Sequence, residues 1–504
     1  MKMKKHILLF VGMLTTVFIA CDDFLDVNDN PNSPVSENLV LEAKLPAAQV
    51  YTAVLETGQL NQLGAFWGGY WGTTTEAVTK FRKERTYNGP SIMASRDGIP
   101  VWENGYQVLL YYHLIQEQAD AEGALFYSGI AKIMKGWHFM RLVDVYGDVP
   151  FDQALQGTRF PEPEYEDGEV VYQKSMTLIS AGIEDIKNAP AGSGPGNVDV
   201  MFKGDRNLWI KLGNTLKLRG LLRQSEVGRD AYIASEITKI EQEGSGFLGV
   251  GESVTVQPGY LNTTGKTNPF WTNYYRTNQG VLTGNHIDLA PTSFSITRYA
   301  ELDDPRIETL YTTSQADGIY KGVMFGDPSP GTEFNREHTS AFKGPNENGG
   351  KPAALFKSAT QGSIILGSFE SLFLQAEAAH RGWITGDAEM LYHQAIRESM
   401  KYMEVTDAAR VNSYLQHPNV VFNNTLEQII LQKWLSLNSI SSIEAWNDFR
   451  RLGLPAIPNS LSAPSPNARP QRLMYPETEE QSNGYQVSKR GVTDITSAKV
   501  WWMN

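Results

Sequence analysis

The chain of 504 residues contains a single cysteine, Cys21, so an internal disulfide is excluded. It also lacks an excess of positive charge. Its 56 acidic residues outnumber 44 basic ones, for a formal net charge of −12. That sign disfavours a phosphate-binding surface, and nucleic acid is not an expected partner. Catalytic signatures are scarce as well: there is no HExxH zinc helix and no GxSxG nucleophile elbow, and the eight histidines are scattered without ligand spacing. These absences point to a binding protein with no catalytic residue, no cofactor and no metal, rather than to an enzyme. The only long apolar run, Ile7 to Ala20, falls short of the ~20 residues a membrane span needs.

That short run has a different use. Lys2, Lys4 and Lys5 precede it and Cys21 follows it, giving the basic region, apolar region and processing site of a signal peptide over residues 1–20. The tetrapeptide Phe18-Ile19-Ala20-Cys21 resembles a bacterial lipoprotein box, with Phe18 replacing the usual leucine. The resemblance implies that Cys21 is acylated, becomes the first mature residue and inserts into outer-membrane lipid. Two or three acyl chains on one residue anchor stably where a single chain does not. Asp22 and Asp23 resemble the surface-export signal of Bacteroidetes lipoproteins, and can also be read as solvated linker charges. Residues 21–37, rich in Asp, Asn, Pro and Ser, form a tether that as a flexible coil would hold the body on the order of 20 Å from the membrane.

From Asn38 onward the pattern is helical. Phe126, Ile130, Ile133, Trp137 and Met140 share one helix face, and similar stripes run through 169–188, 205–224 and 228–243. They return at 369–381, 387–403, 425–438 and 440–452. The intervening stretch 244–366 is rich in Gly, Pro, Asn and Thr and has short β-like pieces such as Ser253–Gln257. The fold expected is mainly α: one domain over 38–504, with an N-terminal helical part (38–243), an irregular insertion carrying short strands and the binding face (244–366), and a C-terminal helical part (367–504). Paired helices on both sides suggest a repeat-like scaffold.

Several tempting motifs fail on context. Asp26 to Glu37 has the length of a calcium loop, but Pro31 occupies the turn position that needs Gly. Gly244, Gly246 and Gly249 match the dinucleotide string, yet they follow a helix instead of a strand and read as a helix stop. Gly265-Lys266-Thr267 lacks the upstream glycine of a P-loop, because Tyr260 stands there. Asp303 and Asp304, before Pro305, read as turn and capping residues. A glycosidase needs two carboxylates about 5–10 Å apart, and among 56 acidic residues such a pair carries no information.

Aromatic clusters are more informative. A pyranose offers apolar C–H faces and a rim of hydroxyls, so flat rings beside amides, carboxylates or guanidinium groups suit it. Residues 66–75 (FWGGYWGTTT) place Phe66, Trp67, Tyr70 and Trp71 among glycines that disfavour a helix by roughly 1 kcal/mol each. Ligand contact and core packing are both open there. Residues 271–279 set Trp271, Tyr274 and Tyr275 among Asn273, Arg276 and Asn278 in the irregular insertion, and ligand contact is the favoured reading. Trp137, Trp434 and Trp446 lie in periodic segments and Trp383 at a helix end, all as core.

Six segments, in order, resemble the SusD/RagB lipoproteins, and most closely the SusD-like, starch-binding-associated subgroup. They are CDDFLDVNDNPNSP at 21–34, LVDVYGDVPFDQAL at 142–155, AELDDPRI at 300–307, EAAHRGWITGDAEMLYHQAIRESM at 377–400, QKWLSLNSISSIEAWNDFRRLGLP at 432–455 and RLMYPETEEQSNGYQV at 472–487. The resemblance implies tetratricopeptide-like helix pairs with an irregular binding face, and a SusC-like TonB-dependent outer-membrane transporter as partner. It implies capture of an oligosaccharide for import. A peptide or another nutrient on the same scaffold is the alternative, and a surface glycoside hydrolase is a third.

Overall fold

The apolar stripes close on one another as helix pairs. The computed structural model describes residues 39–346, 350–491 and 493–503, so the expected signal peptide, the tether, Cys21 and the Asp26–Glu37 segment lie outside the described residues. Helix α1 (Leu41–Leu55) runs through one π-helical turn, Glu56–Leu60, into α2 (Asn61–Trp67). Helices α3 (Val101–Glu122) and α4 (Leu125–Tyr146) form a hairpin across Gly123, whose φ of 70° only glycine adopts at little cost. There follow α5 (Gly168–Asn188), α6 (Arg206–Arg223) and α7 (Asp230–Glu243), then, beyond the insertion, α8 (Ser368–His380), α9 (Ala388–Tyr402), α10 (Leu426–Leu437) and α11 (Ser442–Leu452). Asp205, Asp387 and Thr425 cap α6, α9 and α10 by accepting a backbone N–H of the first turn, worth about 1 kcal/mol each. Among the described residues, no helix is long and apolar enough to cross a membrane.

Glycine sets how closely these helices approach. A Cβ on Gly129 of α4 would lie 2.6 Å from the carbonyl of Gly182 of α5, and one on Gly182 would lie 2.6 Å from the carbonyl of Gly129. Beyond Trp67 the 64–72 glycines act as expected, since the helix ends at Gly68, Gly69 takes a φ of 83° and Trp71–Thr73 is extended; only Gly64 lies within a helix, contrary to the expectation. Gly64 sits inside α2 because α11 crosses it there, and a Cβ would fall 2.1 Å from the Ile443 nitrogen. Close packing outweighs the propensity cost.

The insertion contributes strands and irregular turns. Three two-stranded antiparallel pairs occur among the described residues: β1 (Trp71–Thr73) with β5 (Leu289–Pro291), β2 (Val149–Pro150) with β3 (Tyr165–Glu166), and β4 (Val254–Val256) with β6 (Ser363–Leu366). The β-like piece expected at Ser253–Gln257 is β4. Gly244 ends α7 at a φ of 84°, a helix stop as expected.

Charged side chains bind the two helical parts together. Glu444 of α11 accepts from Arg141 of α4 at 2.6 Å and from Arg223 of α6, and pairs with Arg219 at 3.6 Å. Arg141 also grips Glu56 with two bonds of 2.9 and 3.1 Å, and Arg219 reaches Glu370 of α8 at 2.6 Å. Each of these residues is buried. Trp137, Trp434 and Trp446 are core residues and Trp383 is half-buried. Trp502 is buried as well, donating to Asp144 at 3.0 Å. Asp304 is more than a turn residue: it forms a fully buried ion pair with Arg306 at 2.6 Å.

Candidate functional site: a polar cavity over an aromatic seam

The two aromatic clusters meet, but as core. Trp71 and Tyr274 touch edge to face at 5.0 Å between ring centroids, and Phe342 packs on Trp71 at 5.9 Å. Trp71 is 1% exposed and Trp271 6%. The polar edges of these rings are spent internally. Trp67 Nε1 donates to the Glu84 carbonyl at 3.0 Å, Tyr70 to the Trp434 carbonyl at 2.6 Å, and Trp71 Nε1 to Ser439 Oγ at 2.7 Å. The ring faces are covered too, Tyr70 by Trp434 at 4.6 Å and Trp67 by Trp446 at 4.9 Å.

The second cluster behaves alike. Asn268 caps a short helix, Pro269–Tyr274, by accepting the Trp271 N–H. Trp271 then packs edge-on against Tyr275 at 4.5 Å, Tyr275 stacks on Phe356 at 5.0 Å, and the Tyr274 hydroxyl donates to Gln62 Oε1 at 2.9 Å. Trp67, Tyr70, Trp71, Trp271, Tyr274 and Tyr275 are therefore core: of the two readings open for the first three, core packing is the one observed, and the ligand contact favoured for Trp271, Tyr274 and Tyr275 is corrected. A glycine- or asparagine-rich neighbourhood does not make these rings exposed, because partners far along the chain cover them. Asn273, Arg276 and Asn278 do lie at or near the surface. They shape the following turn: the Asn273 carbonyl accepts from Asn285 Nδ2 at 3.0 Å, Arg276 donates to the Gly280 carbonyl, and Asn278 donates to Thr264 at 3.0 Å.

That turn borders a cavity of about 270 Å³ beside the aromatic seam. Leu289 of β5 and Phe342 supply apolar walls, with Leu282 and Ile287 toward the turn. Hydroxyls of Thr74, Thr312, Thr339 and Ser340, the amide of Gln315 and the guanidinium of Arg336 supply the polar ones. Arg336 is oriented by the Ile287 carbonyl at 3.1 Å and Asp288 at 3.0 Å. Its backbone N–H bonds the Glu76 carboxylate, which stays below the usual carboxylate range because such N–H groups outweigh partial burial. The β1–β5 pairing brings Thr74 here from the N-terminal part of the chain.

On the other side of the seam, Gln62 links Tyr274 to Glu84 by donating to Glu84 Oε1 at 2.8 Å. Glu84 and Gln62 line a second, wider cavity of about 600 Å³ with Phe81, Lys83 and Asn88. Glu84 Oε2 is buried with no hydrogen-bond partner among the described residues, and burial raises its carboxyl above the usual range. Single polar residues spread from Thr74 to Arg336 carry no local pattern, so neither cavity is visible in the sequence. The arrangement suits a neutral, hydroxyl-rich or amide-bearing ligand held by hydrogen bonds beside apolar walls. Among the described residues, no group of three or more His, Cys, Asp or Glu is placed to hold a metal ion.

A family model for SusD-like proteins, described as starch-binding and associating with the outer membrane, matches residues 40–476. The chain belongs to the SusD-like family. Members of this family are binding proteins, not enzymes, and are associated with the outer membrane. Solved structures share the SusD-like fold. A SusD homolog from Bacteroides fragilis is 21% identical with a TM-score of 0.73, covering 91% of this chain and 98% of that one. A chitin-binding SusD homolog from Flavobacterium johnsoniae is 21% identical with a TM-score of 0.73, covering 92% and 98%. A further structure, of a chitin-binding protein, is 25% identical with a TM-score of 0.70, covering 91% and 99%. No curated protein matches the chain.

Proposed function

We propose that this SusD-like chain is a cell-surface lipoprotein, anchored through acylated Cys21, that captures oligosaccharide for import by a SusC-like TonB-dependent transporter. The observation that carries the reading is the 270 Å³ cavity, lined by Thr74, Thr312, Thr339, Ser340, Gln315 and Arg336 beside Phe342 and Leu289. Such a mixture matches the alternating hydroxyl and C–H surface of a sugar. Arg276 and Asn278 fix the turn carrying Leu282, and so shape the rim. Family membership supports the role, and chitin binding by two relatives of the same fold supports a glycan as cargo. Calorimetry on a panel of oligosaccharides should show saturable binding without product formation. Arg336→Ala and Gln315→Ala should each weaken it about tenfold, the worth of one good polar contact. A panel without a single binder at millimolar concentration would sink the glycan reading.

One observation favours a second cargo. The cavity walls are polar groups rather than paired flat rings, since the candidate rings are buried. A short peptide, with its own amides, meets that surface equally well. The same calorimetry with a peptide library in place of glycans separates the two.

A further inference from the structure

A third cavity, of about 560 Å³, shares no lining residue with the seam cavity and opens between the α3–α4 hairpin and the segment 151–159. Phe139 and Phe151, 4.3 Å apart between ring centroids, form its apolar wall with Leu155 and Leu178. Lys135 projects from α4 and is only 9% exposed. Its ammonium donates to Gln116 Oε1 at 3.0 Å and lies 3.4 Å from His113 Nδ1, both neutral acceptors. Two nearby carboxylates are committed to other cations, Asp152 to Lys174 at 2.5 Å and Asp120 to Lys132 at 3.8 Å, while Glu117 lies 3.5 Å from the neutral His113, whose pKa burial lowers, and forms no ion pair with Lys135. A buried ammonium without an anionic partner is costly, and burial brings its pKa down to about 8 despite the field of Glu117 and Asp120.

The group that would complement Lys135 is therefore an anion. Arg159 lines the cavity as a second, more exposed cation, and Glu117 and Asp152 line it too, a balance that disfavours a multiply charged ligand but provides acceptors for hydroxyls. One negative charge, several hydroxyls and an apolar face describe a pyranose carrying a single carboxylate. The volume lies within the range of roughly 300–1,000 Å³ typical of small-ligand sites. The rim is preformed: Leu155 is held at a φ of 64°, and the Asp152 N–H bonds Glu166 at 2.7 Å.

We propose that this cavity is a second ligand site for a hexuronate unit, with its carboxylate on Lys135 and its hydroxyls on Glu117 and Asp152. It does not rest on the cargo assigned to the seam cavity. The test is calorimetry or ligand-observed NMR on the full chain with three probes: D-glucuronate, D-glucose and acetate. Glucuronate should bind, with glucose and acetate weaker by about tenfold or more, because each lacks one half of the recognition. Lys135→Met should abolish glucuronate binding without lowering the melting temperature, since it removes an unpaired buried charge. Lys135→Gln provides the same reading if Met fails to fold. Both Lys135 variants are compared in the Arg336→Ala background, so that a sugar held in the seam cavity does not mask the loss at this one. Glucuronate binding that survives loss of the ammonium, equal binding of acetate, or no glucuronate binding at all would overturn the proposal.

Discussion

Trp71 and Tyr274 show what a single residue in this chain can and cannot reveal. Both are rings among Gly, Asn and Thr, a setting that fits a sugar platform and a tight core equally well. The choice is made by Ser439, which accepts from Trp71, and by Gln62, which accepts from Tyr274, neither of them close in sequence. Local pattern cannot supply those partners, whereas Trp137 and Trp446 sit on periodic stripes and are legible as core. Trp71→Ala should therefore cost about 3–5 kcal/mol of stability, the usual penalty for emptying a buried aromatic site. Tyr274→Phe should cost only about 1 kcal/mol, one hydrogen bond, and leave cargo affinity nearly unchanged. Urea denaturation read beside calorimetry checks both. A Tyr274→Phe variant of full stability that no longer binds would return this ring to the site.

At the level of elements, the helical stripes translate almost directly into helices: the 205–224 stripe is Arg206–Arg223, and the 425–438 stripe is Leu426–Leu437. Long apolar repeats survive because the periodicity that signals a helix is the same one that buries it. The stripe through Phe126–Met140 shows one face only, whereas α4 is buried on nearly all sides, since α3, α5 and α6 surround it. The helix at Asn61–Trp67 escapes sequence reasoning for the opposite reason, its one glycine, Gly64, being an interface residue and not a helix breaker. Gly64→Ala should accordingly destabilise the protein by about 3 kcal/mol, because the new methyl meets the backbone of α11, which cannot yield as a side chain would. The gain in helix propensity, about 1 kcal/mol, is too small to offset it. Gly58, in the π-helical turn, has a negative φ, and a methyl group there would meet no atom within 4 Å. Gly58→Ala should be neutral or stabilise by up to about 1 kcal/mol. Thermal unfolding of the two variants gives opposite signs if close helix approach, and not glycine content, controls this segment.

Across the whole molecule, the buried charges make α4, α6, α8 and α11 depend on one another. Glu444→Gln should cost about 3–5 kcal/mol, because Arg141, Arg219 and Arg223 would share the remaining carboxylates in a dry interior. Added salt should barely change the stability of this network, since burial limits screening. Acid should act in two stages. Burial, reinforced by Arg141, lowers the His138 pKa to about 3, below the 6.5 of an exposed imidazole. The stability due to a neutral His138 is thus full above pH 6.5 and is lost as pH falls from there toward 3, at up to about 1.4 kcal/mol per pH unit. Glu377, held near 2 because Arg451 outweighs burial, adds a second loss below pH 4.5. Glu56 and Glu370, raised by burial, gain stability as pH falls toward 4.5 and so oppose the first stage, not the second. His138→Gln keeps a polar group beside Thr52, which bonds His138 Nε2 at 3.3 Å, and removes the titration. Between pH 6.5 and 5 the urea midpoints of the parent chain should therefore fall relative to those of this variant, the other groups that titrate there being common to both. Equal slopes for the two proteins in that window would mean that a charged His138 is tolerated in the core, and that the acid response begins with the carboxylates instead.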